Sequence, residues 1–381
     1  MSETPRKKIC FVMTAPSALR AFMADPIRRL ARKYEVSVFC NFSADACENL
    51  FDATVTRVHI PFERKIRPWA DLRCLFQLSS ALRRGRFDSV HSIMPKTGLL
   101  AMAAGWLAGV PVRVHMFTGQ VWVTRAGFWR MLLKSMDRLI AWFATDIYAD
   151  SPSQRDFLVA EKVIRSGKVL GDGSVNGVDC DRFKPDPAAR AAVRAQLGIP
   201  QDAVVFGFLG RLNTDKGIGD LVEAFASSSV AQSAHLLLVG PDEEGVEAMI
   251  RKKFPSMREK IYFAGSTDHP ERYYPAFDVF CIPSYREGFG SSVIEAAACG
   301  VPALASRIYG LTDAVAEGVT GLMHAPHDVS EIRAGLETYA ADSGMRQKIS
   351  RAARQRVLDK FQTERLVEAM AHEYERLLAH G

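Results

Sequence analysis

The sequence predicts an α/β protein made of two doubly wound, Rossmann-like parallel-sheet domains, and three observations carry that expectation. Short apolar runs alternate with longer segments of helical spacing along almost the whole chain, the pattern of parallel sheets with crossover helices. At 381 residues the chain exceeds what one hydrophobic core organises. The stretch GDGSVNGVDCDRFKPDP, residues 171 to 187, is dense in Gly, Asp and Pro and reads as a turn-rich linker near the middle.

In the first half, strands are expected at KICFVMTA (8–15), YEVSVFC (34–40), VTRVHI (55–60), SVHSIM (89–94), VRVHMF (112–117), DIYAD (146–150) and KVLG (168–171). A second series opens at Val204 with VVFGFLG and continues through HLLLVG, IYFAG, DVFCIPS, VPALAS and TGLMH. From Asp328 onward the pattern is helical. The expected domains are 1–180 and 181–362, with the last helix, 363–381, a candidate to pack back on the first.

Composition narrows the class. With 48% hydrophobic and 24% charged residues the chain reads as a soluble protein. Its seven cysteines are scattered and show neither CxxC spacing nor a disulfide framework, which points to a reducing compartment. The N-terminus MSETPRKKICFVMTA has no signal-peptide h-region. The longest uncharged stretch, Thr97 to Val112, holds three Gly and a Pro and is shorter than the roughly 20 apolar residues of a spanning helix. Charge is uneven: residues 1–180 carry 26 Lys and Arg against 16 Asp and Glu, a balance of +10, whereas the whole chain stands at +6. The first half is therefore the one expected to meet an anionic partner.

In doubly wound sheets ligands lie beyond the carboxyl ends of the strands. After VVFGFLG come Arg211 and Lys216, two cations able to seat a diphosphate, one as a fork and one as a point charge. After DVFCIPS comes YREGFGSSVIEAAACG, in which Gly288 and Gly290 allow close backbone approach before a helix starting near Ser291. Glu295 in that helix could accept two hydrogen bonds from a vicinal diol, and Glu287 could reach another part of the same ligand. Solvated surface cations and compensation of the helix dipole are the alternative readings.

Together these residues resemble the family 4 retaining glycosyltransferases, two-domain enzymes of GT-B fold. The matching positions are Gly210-Arg211, Lys216-Gly217, Pro283-Ser284, Glu287-Gly288-Phe289-Gly290, Glu295-Ala296, Gly300-Val301-Pro302 and Gly321. Within the family, HMFTGQVW (115–122) and GDGSVNGVD (171–179) are similar to a bacterial subgroup building capsule, O-antigen or glycan precursors on a polyprenyl-diphosphate lipid, often from N-acetylhexosamine donors.

The resemblance implies that the second domain binds a UDP-sugar. Arg211 and Lys216 would hold the diphosphate and stabilise its departure, Glu295 the ribose, and Glu287 the transferred sugar. Backbone amides of Phe289, Gly290 and Ser291, with Ser292 beside them, would face sugar and phosphate. Arg211, Lys216, Glu287 and His115 are the catalytic candidates. It further implies retention by a front-face pathway needing no protein nucleophile and no metal cofactor; no HExxH occurs to suggest otherwise. The first domain would bind a lipid-linked or growing glycan acceptor. His115 and His91 end adjacent strands there, and Lys96 could meet an acceptor phosphate or remain solvated.

One departure stands out. The stretch after the first strand, TAPSALRAF (14–22), reads as a loop without the glycines usual in relatives, so either it sits farther from the phosphates or Ser17 and Arg20 replace amide contacts. Two basic, aromatic segments, 63–87 and 127–143, with Trp69, Phe76, Trp129 and Trp142, could lie on the cytoplasmic face of an anionic membrane or pack as ordinary sheet-covering helices. No nucleic-acid signature is present. A nucleotide-sugar epimerase or hydrolase on the same fold, or a non-catalytic nucleotide-sugar binder, remains the competing class.

Overall fold

The structure is a computed structural model and describes residues 6–43, 50–63 and 66–379. It divides into two compact units, the first running to Asn176 and resuming at Thr363, the second spanning Gly177 to Gln362.

Unit 1 contains β1 (Lys8–Val12), α1 (Pro16–Phe22), α2 (Ala24–Ala31), β2 (Glu35–Cys40), β3 (Val55–His59), α3 (Pro68–Gly85), β4 (Ser89–Ser92), α4 (Pro95–Ala108), β5 (Val112–Phe117), α5 (Gly127–Phe143), β6 (Asp146–Ala149), α6 (Pro152–Ala160) and β7 (Lys168–Val169). Its seven strands lie in the order β3-β2-β1-β4-β5-β6-β7, all parallel. Alternation along β1 shows why the sheet is covered on both faces. Ile9 and Phe11 pack with α1 and α2, while Cys10 and Val12 pack with α3, α4 and α5.

Unit 2 contains α7 (Pro187–Leu197), β8 (Val205–Leu209), α8 (Ile218–Ala226), β9 (His235–Val239), α9 (Val246–Lys253), β10 (Ile261–Phe263), β11 (Val279–Ile282), α10 (Ser291–Ala298), β12 (Ala303–Ser306), α11 (Leu311–Ala314), β13 (Gly321–His324), α12 (Val329–Ala341) and α13 (Ser343–Lys360). The order is β10-β9-β8-β11-β12-β13, again parallel, so the winding reverses between β8 and β11. Arg194 of α7 is fully buried; its guanidinium donates to the carbonyls of Ala203 (2.8 Å) and Ala276 (2.9 Å) and to Asp278 Oδ2 at 2.8 Å. The same carboxylate oxygen accepts the Val205 N–H at 2.7 Å, tying α7 to the starts of β8 and β11.

The last helix, α14 (Thr363–Ala379), returns to unit 1. Leu366, Met370, Tyr374, Leu377 and Leu378 form its buried stripe at helical spacing. Each such apolar side chain contributes roughly 1.5–3 kcal/mol on burial. Ion pairs Arg29–Glu368 and Lys33–Glu375, both 2.7 Å, line its edge against α2.

Two local expectations change. The stretch 14–22 is not a loop: Ala15 is extended and Pro16 takes the first helical position of α1, where its missing N–H costs nothing. On the basic segments, Arg64 and Lys65 lie outside the described residues. Lys134 and Arg130 turn inward, pairing with Glu161 at 2.5 and 3.4 Å and lying over the Trp122 ring, so they do not add to a free basic surface. The aromatics are outward: Trp69 is 86% exposed and Trp142 66%, with Phe76, Trp106, Phe128 and Trp129 also open to solvent. Among the described residues no helix is long and apolar enough to cross a membrane. No disulfide joins any two of the six described cysteines, and Cys47 lies outside those residues.

Candidate active site

The reversal between β8 and β11 puts the loops after these two strands side by side, the usual seat of ligands in such sheets. Three contacts join them. Lys216 Nζ lies 2.5 Å from Glu287 Oε1, the Tyr285 N–H donates to the Asp215 carbonyl at 2.9 Å, and Arg286 pairs with Asp215 at 2.8 Å. Local geometry makes the approach possible. Thr214–Lys216 is one 3₁₀ turn ended by Gly217 at φ +65°, and a Cβ there would stand 2.1 Å from the Pro283 carbonyl oxygen. Only glycine lets the two loops meet this closely.

Glu287 also accepts from Ser284 Oγ at 2.8 Å, and both it and Lys216 are mostly buried. Glu287 is thus held by one cation and one hydroxyl. Arg211 is half exposed and faces Glu243 at 3.1 Å, a carboxylate that also accepts from Asn213 at 3.0 Å. Both predicted diphosphate cations therefore stand beside a carboxylate from another loop, available for exchange with an anionic ligand.

Gly290, at φ +85°, caps α10, and the cap makes no side-chain bond to the first-turn amides. Ser291 and Ser292 sit half-buried at that start. Phe289 is different: its ring is 2% exposed and packs against Phe361 at 5.2 Å in the core of unit 2. Any ligand contact from Phe289 is thereby limited to its backbone.

Glu295 Oε2 accepts from the Tyr274 hydroxyl at 2.7 Å. Burial pushes the Glu295 carboxyl up to about 7, with the tyrosine bond opposing the rise, and the Tyr274 hydroxyl is driven well above its usual range by its own burial. At neutral pH Glu295 stands near the midpoint between acceptor-only carboxylate and donor-capable acid.

His115 belongs to unit 1. Its ring is buried, Nδ1 lies 2.8 Å from Ser92 Oγ, and burial, then the neighbouring His91, lower it to about 3. His91 is likewise buried and lowered to about 3, with Nδ1 2.8 Å from the Tyr374 hydroxyl. Both imidazoles are neutral at physiological pH. Lys96 is engaged by Asp71 at 2.6 Å and the Glu63 carbonyl at 2.8 Å. Among the described residues no three His, Cys, Asp or Glu side chains come together as metal ligands.

Sequence reasoning missed the partners Tyr274, Glu243 and Asp215. It also missed Tyr285, whose hydroxyl donates to Asp220 at 2.7 Å and whose ring stacks on His327 at 3.7 Å. Tyr274 and Glu243 lie apart along the chain from the residues they support, whereas Asp215 is next to Lys216 and Tyr285 opens the quoted YREGFGSSVIEAAACG; their contacts become visible only where separate loops and strands meet.

Comparison with known proteins agrees with this fold. Residues 19–170 match the glycosyl transferase 4-like domain and residues 189–356 the glycosyl transferases group 1 family. The capsular polysaccharide biosynthesis glycosyltransferase CapM of Staphylococcus aureus is 29% identical, over 86% of this chain and 87% of that one. Two solved structures share the fold. Sucrose-phosphate synthase from Thermosynechococcus elongatus superposes with a TM-score of 0.82 at 22% identity, over 99% of this chain and 100% of that one. Anabaena HepE in complex with UDP and glucose superposes with a TM-score of 0.81 at 19% identity, over 97% and 100%.

Proposed function

The chain belongs to the family 4 glycosyltransferases of GT-B fold, and from that premise we propose that it moves a sugar, with retention of configuration, from a UDP-sugar to a polyprenyl-diphosphate-linked or growing glycan. The observation that carries the reading is the Lys216–Glu287 pair at the winding reversal of unit 2, 2.5 Å apart. One partner suits a leaving diphosphate and the other the hydroxyls of the sugar attached to it.

In this reading Lys216 and Arg211 exchange their carboxylates for phosphate oxygens and stabilise the negative charge that grows as the anomeric C–O bond breaks. The acceptor hydroxyl attacks from the same face, its proton passes to the departing phosphate oxygen, and UDP is released. Glu287 orients the sugar and Glu295 the ribose diol. The two cations supply the charge stabilisation that a metal ion gives elsewhere. HepE, a structural neighbour, holds UDP, which favours a uridine donor. The capsule role in the name of CapM favours a surface-polysaccharide acceptor, and the N-acetylhexosamine donor rests on the subgroup resemblance of HMFTGQVW and GDGSVNGVD.

The acceptor class also suits the outer face of α3, α4 and α5. Exposed Trp69, Phe76, Trp129 and Trp142 there, with exposed Arg73, Arg84 and Arg86, fit peripheral contact with the cytoplasmic face of an anionic membrane. The deciding experiment supplies UDP-, GDP- and dTDP-sugars with polyprenyl-diphosphate-sugar acceptors and reads product mass and anomeric configuration. An inverted product, or donor consumption without acceptor, overturns the proposal.

A further inference from the structure

A cavity of about 1030 Å³ opens in unit 1 beside the end of α5, the loop after α6 and the starts of β6 and β7. It lies at the amino-terminal ends of these strands, away from the carboxyl ends where sheet ligands of this fold class sit. Its lining carries Arg138, Lys162, Arg165 and Lys168 against the single carboxylate Asp146. Two of these are engaged: Lys168 lies 2.9 Å from Glu373, and Asp146 faces Arg376 at 3.6 Å. Among the described residues the other three cations have no carboxylate partner. Arg138 donates to the carbonyls of Lys162 (3.0 Å) and Glu161 (3.4 Å), which sets its plane and leaves Nη1 without a partner among those residues. Lys162 and Arg165 are exposed and form no ion pair among the described residues.

Three like charges around one concavity repel one another, and an anion bound among them relieves that repulsion. A phosphate suits the set, since Arg spans two oxygens and Lys adds a point charge. The remaining wall decides what the phosphate is attached to. Trp142 lines the same cavity, is 66% exposed, and packs on the exposed Trp106 at 5.9 Å. The cationic cavity therefore runs directly into the aromatic face of α4 and α5, and a tryptophan at such a boundary suits the join between headgroup and acyl chain.

We propose that this cavity binds the phosphate headgroup of an anionic bilayer lipid, with Arg138, Lys162 and Arg165 on the phosphate and Trp142 against the acyl boundary. The proposal rests on the membrane reading above but names a discrete site within it.

The test titrates wild-type protein with monomeric dihexanoyl phosphatidylglycerol, glycerol phosphate and inorganic phosphate by calorimetry. In parallel it measures flotation with phosphatidylcholine vesicles with and without phosphatidylglycerol. Two variants accompany the wild type: Lys162→Ser/Arg165→Ser in the cavity, and Lys252→Ser/Lys348→Ser, which removes the same charge from the exposed surface of unit 2. Saturable binding of the short-chain lipid is expected, weakened roughly 30-fold in the cavity variant, on the scale of about 1 kcal/mol per cation, and unchanged in the unit 2 variant. Equal losses in both variants, no saturable binding, or equal affinity for inorganic phosphate each overturn it. Short-chain lipid binding without vesicle flotation would sink the membrane reading and leave the site standing, whereas flotation without short-chain binding would do the reverse.

Discussion

Lys216 Nζ and Glu287 Oε1 stand 2.5 Å apart, joined across the winding reversal of unit 2 from loops 71 positions distant in sequence. Under the proposed function Glu287 would compete with a diphosphate for the same ammonium, so Glu287→Gln is expected to bind UDP several-fold more tightly than wild type while transferring sugar on the order of 10²-fold more slowly. Calorimetry with UDP and steady-state turnover check the two halves, and weaker UDP binding in this variant would show that Lys216 does not meet the phosphates. Lys216→Ala should lower kcat/KM by about 10²–10³. It should also cost about 1–3 kcal/mol of stability, because it leaves a mostly buried carboxylate with Ser284 alone. The double variant Lys216→Ala/Glu287→Ala should then be less destabilised than the sum of the singles in denaturant titrations.

Glu295 gives a pH dependence with a definite sign. Its folded value of about 7 lies above that of an exposed glutamate, so the folded state keeps its proton where the unfolded state has lost it. Its contribution to stability is full below the unfolded value and declines as pH rises towards 7. Donor binding runs the other way, since an ionised carboxylate is the better acceptor for a diol. KM for the donor should therefore fall between pH 6 and 8. Tyr274→Phe removes the bond that holds the carboxyl down and should move that fall to higher pH. Glu295→Gln should abolish it, and an unmoved profile in Tyr274→Phe would disconnect Glu295 from donor binding.

The strands and the two glycine-turn motifs were readable because their signals are local: apolar runs of strand length, and glycines directly after them. The glutamate and lysine positions were readable as motif members, but what holds them was not. Tyr274 reaches Glu295, and Glu243 reaches Arg211, through packing that juxtaposes separate strands and loops. Phe289 keeps only the backbone amide that the motif assigns to it, since its ring is core. Stretch 14–22 is helical because Pro16 is a helix-start signal, one that outweighs the missing glycines. His115 and Lys96 follow strands as the sequence suggests, and what it hides is their partners, Ser92 for the buried imidazole and Asp71 for the ammonium.

Arg194 and Asp278 make a stability prediction independent of activity. The guanidinium is fully buried among backbone carbonyls, and Asp278 is its carboxylate partner among the described residues. Asp278→Ala leaves that charge uncompensated and also strips an acceptor from the Val205 N–H, for an expected loss of about 3–5 kcal/mol. Arg194→Met fills much of the same volume without the charge, so Asp278→Ala/Arg194→Met should recover part of the loss. No recovery in thermal or denaturant unfolding would mean that Asp278 acts through the Val205 bond and its ion pair with Arg190 (2.8 Å) rather than through Arg194.

The aromatic face of unit 1 predicts a kinetic signature that simple stickiness would not produce. Trp69 and Trp129 stand at the first turns of α3 and α5, and Trp142 near the end of α5, each more than half exposed. Replacing all three by alanine removes no core contact, so the unfolding midpoint should hold. Flotation with anionic vesicles should drop by about tenfold or more on the apolar area lost. Raised salt should weaken wild-type binding only in part, because screening acts on the arginines and not on the rings. Transfer to a vesicle-embedded polyprenyl acceptor should fall with flotation, whereas transfer to a short-chain, water-soluble analogue should keep the wild-type kcat/KM. If the variant lost both activities equally, the tryptophans would be supporting the catalytic unit rather than bringing it to a surface. If it lost neither, the exposed face would have some other partner.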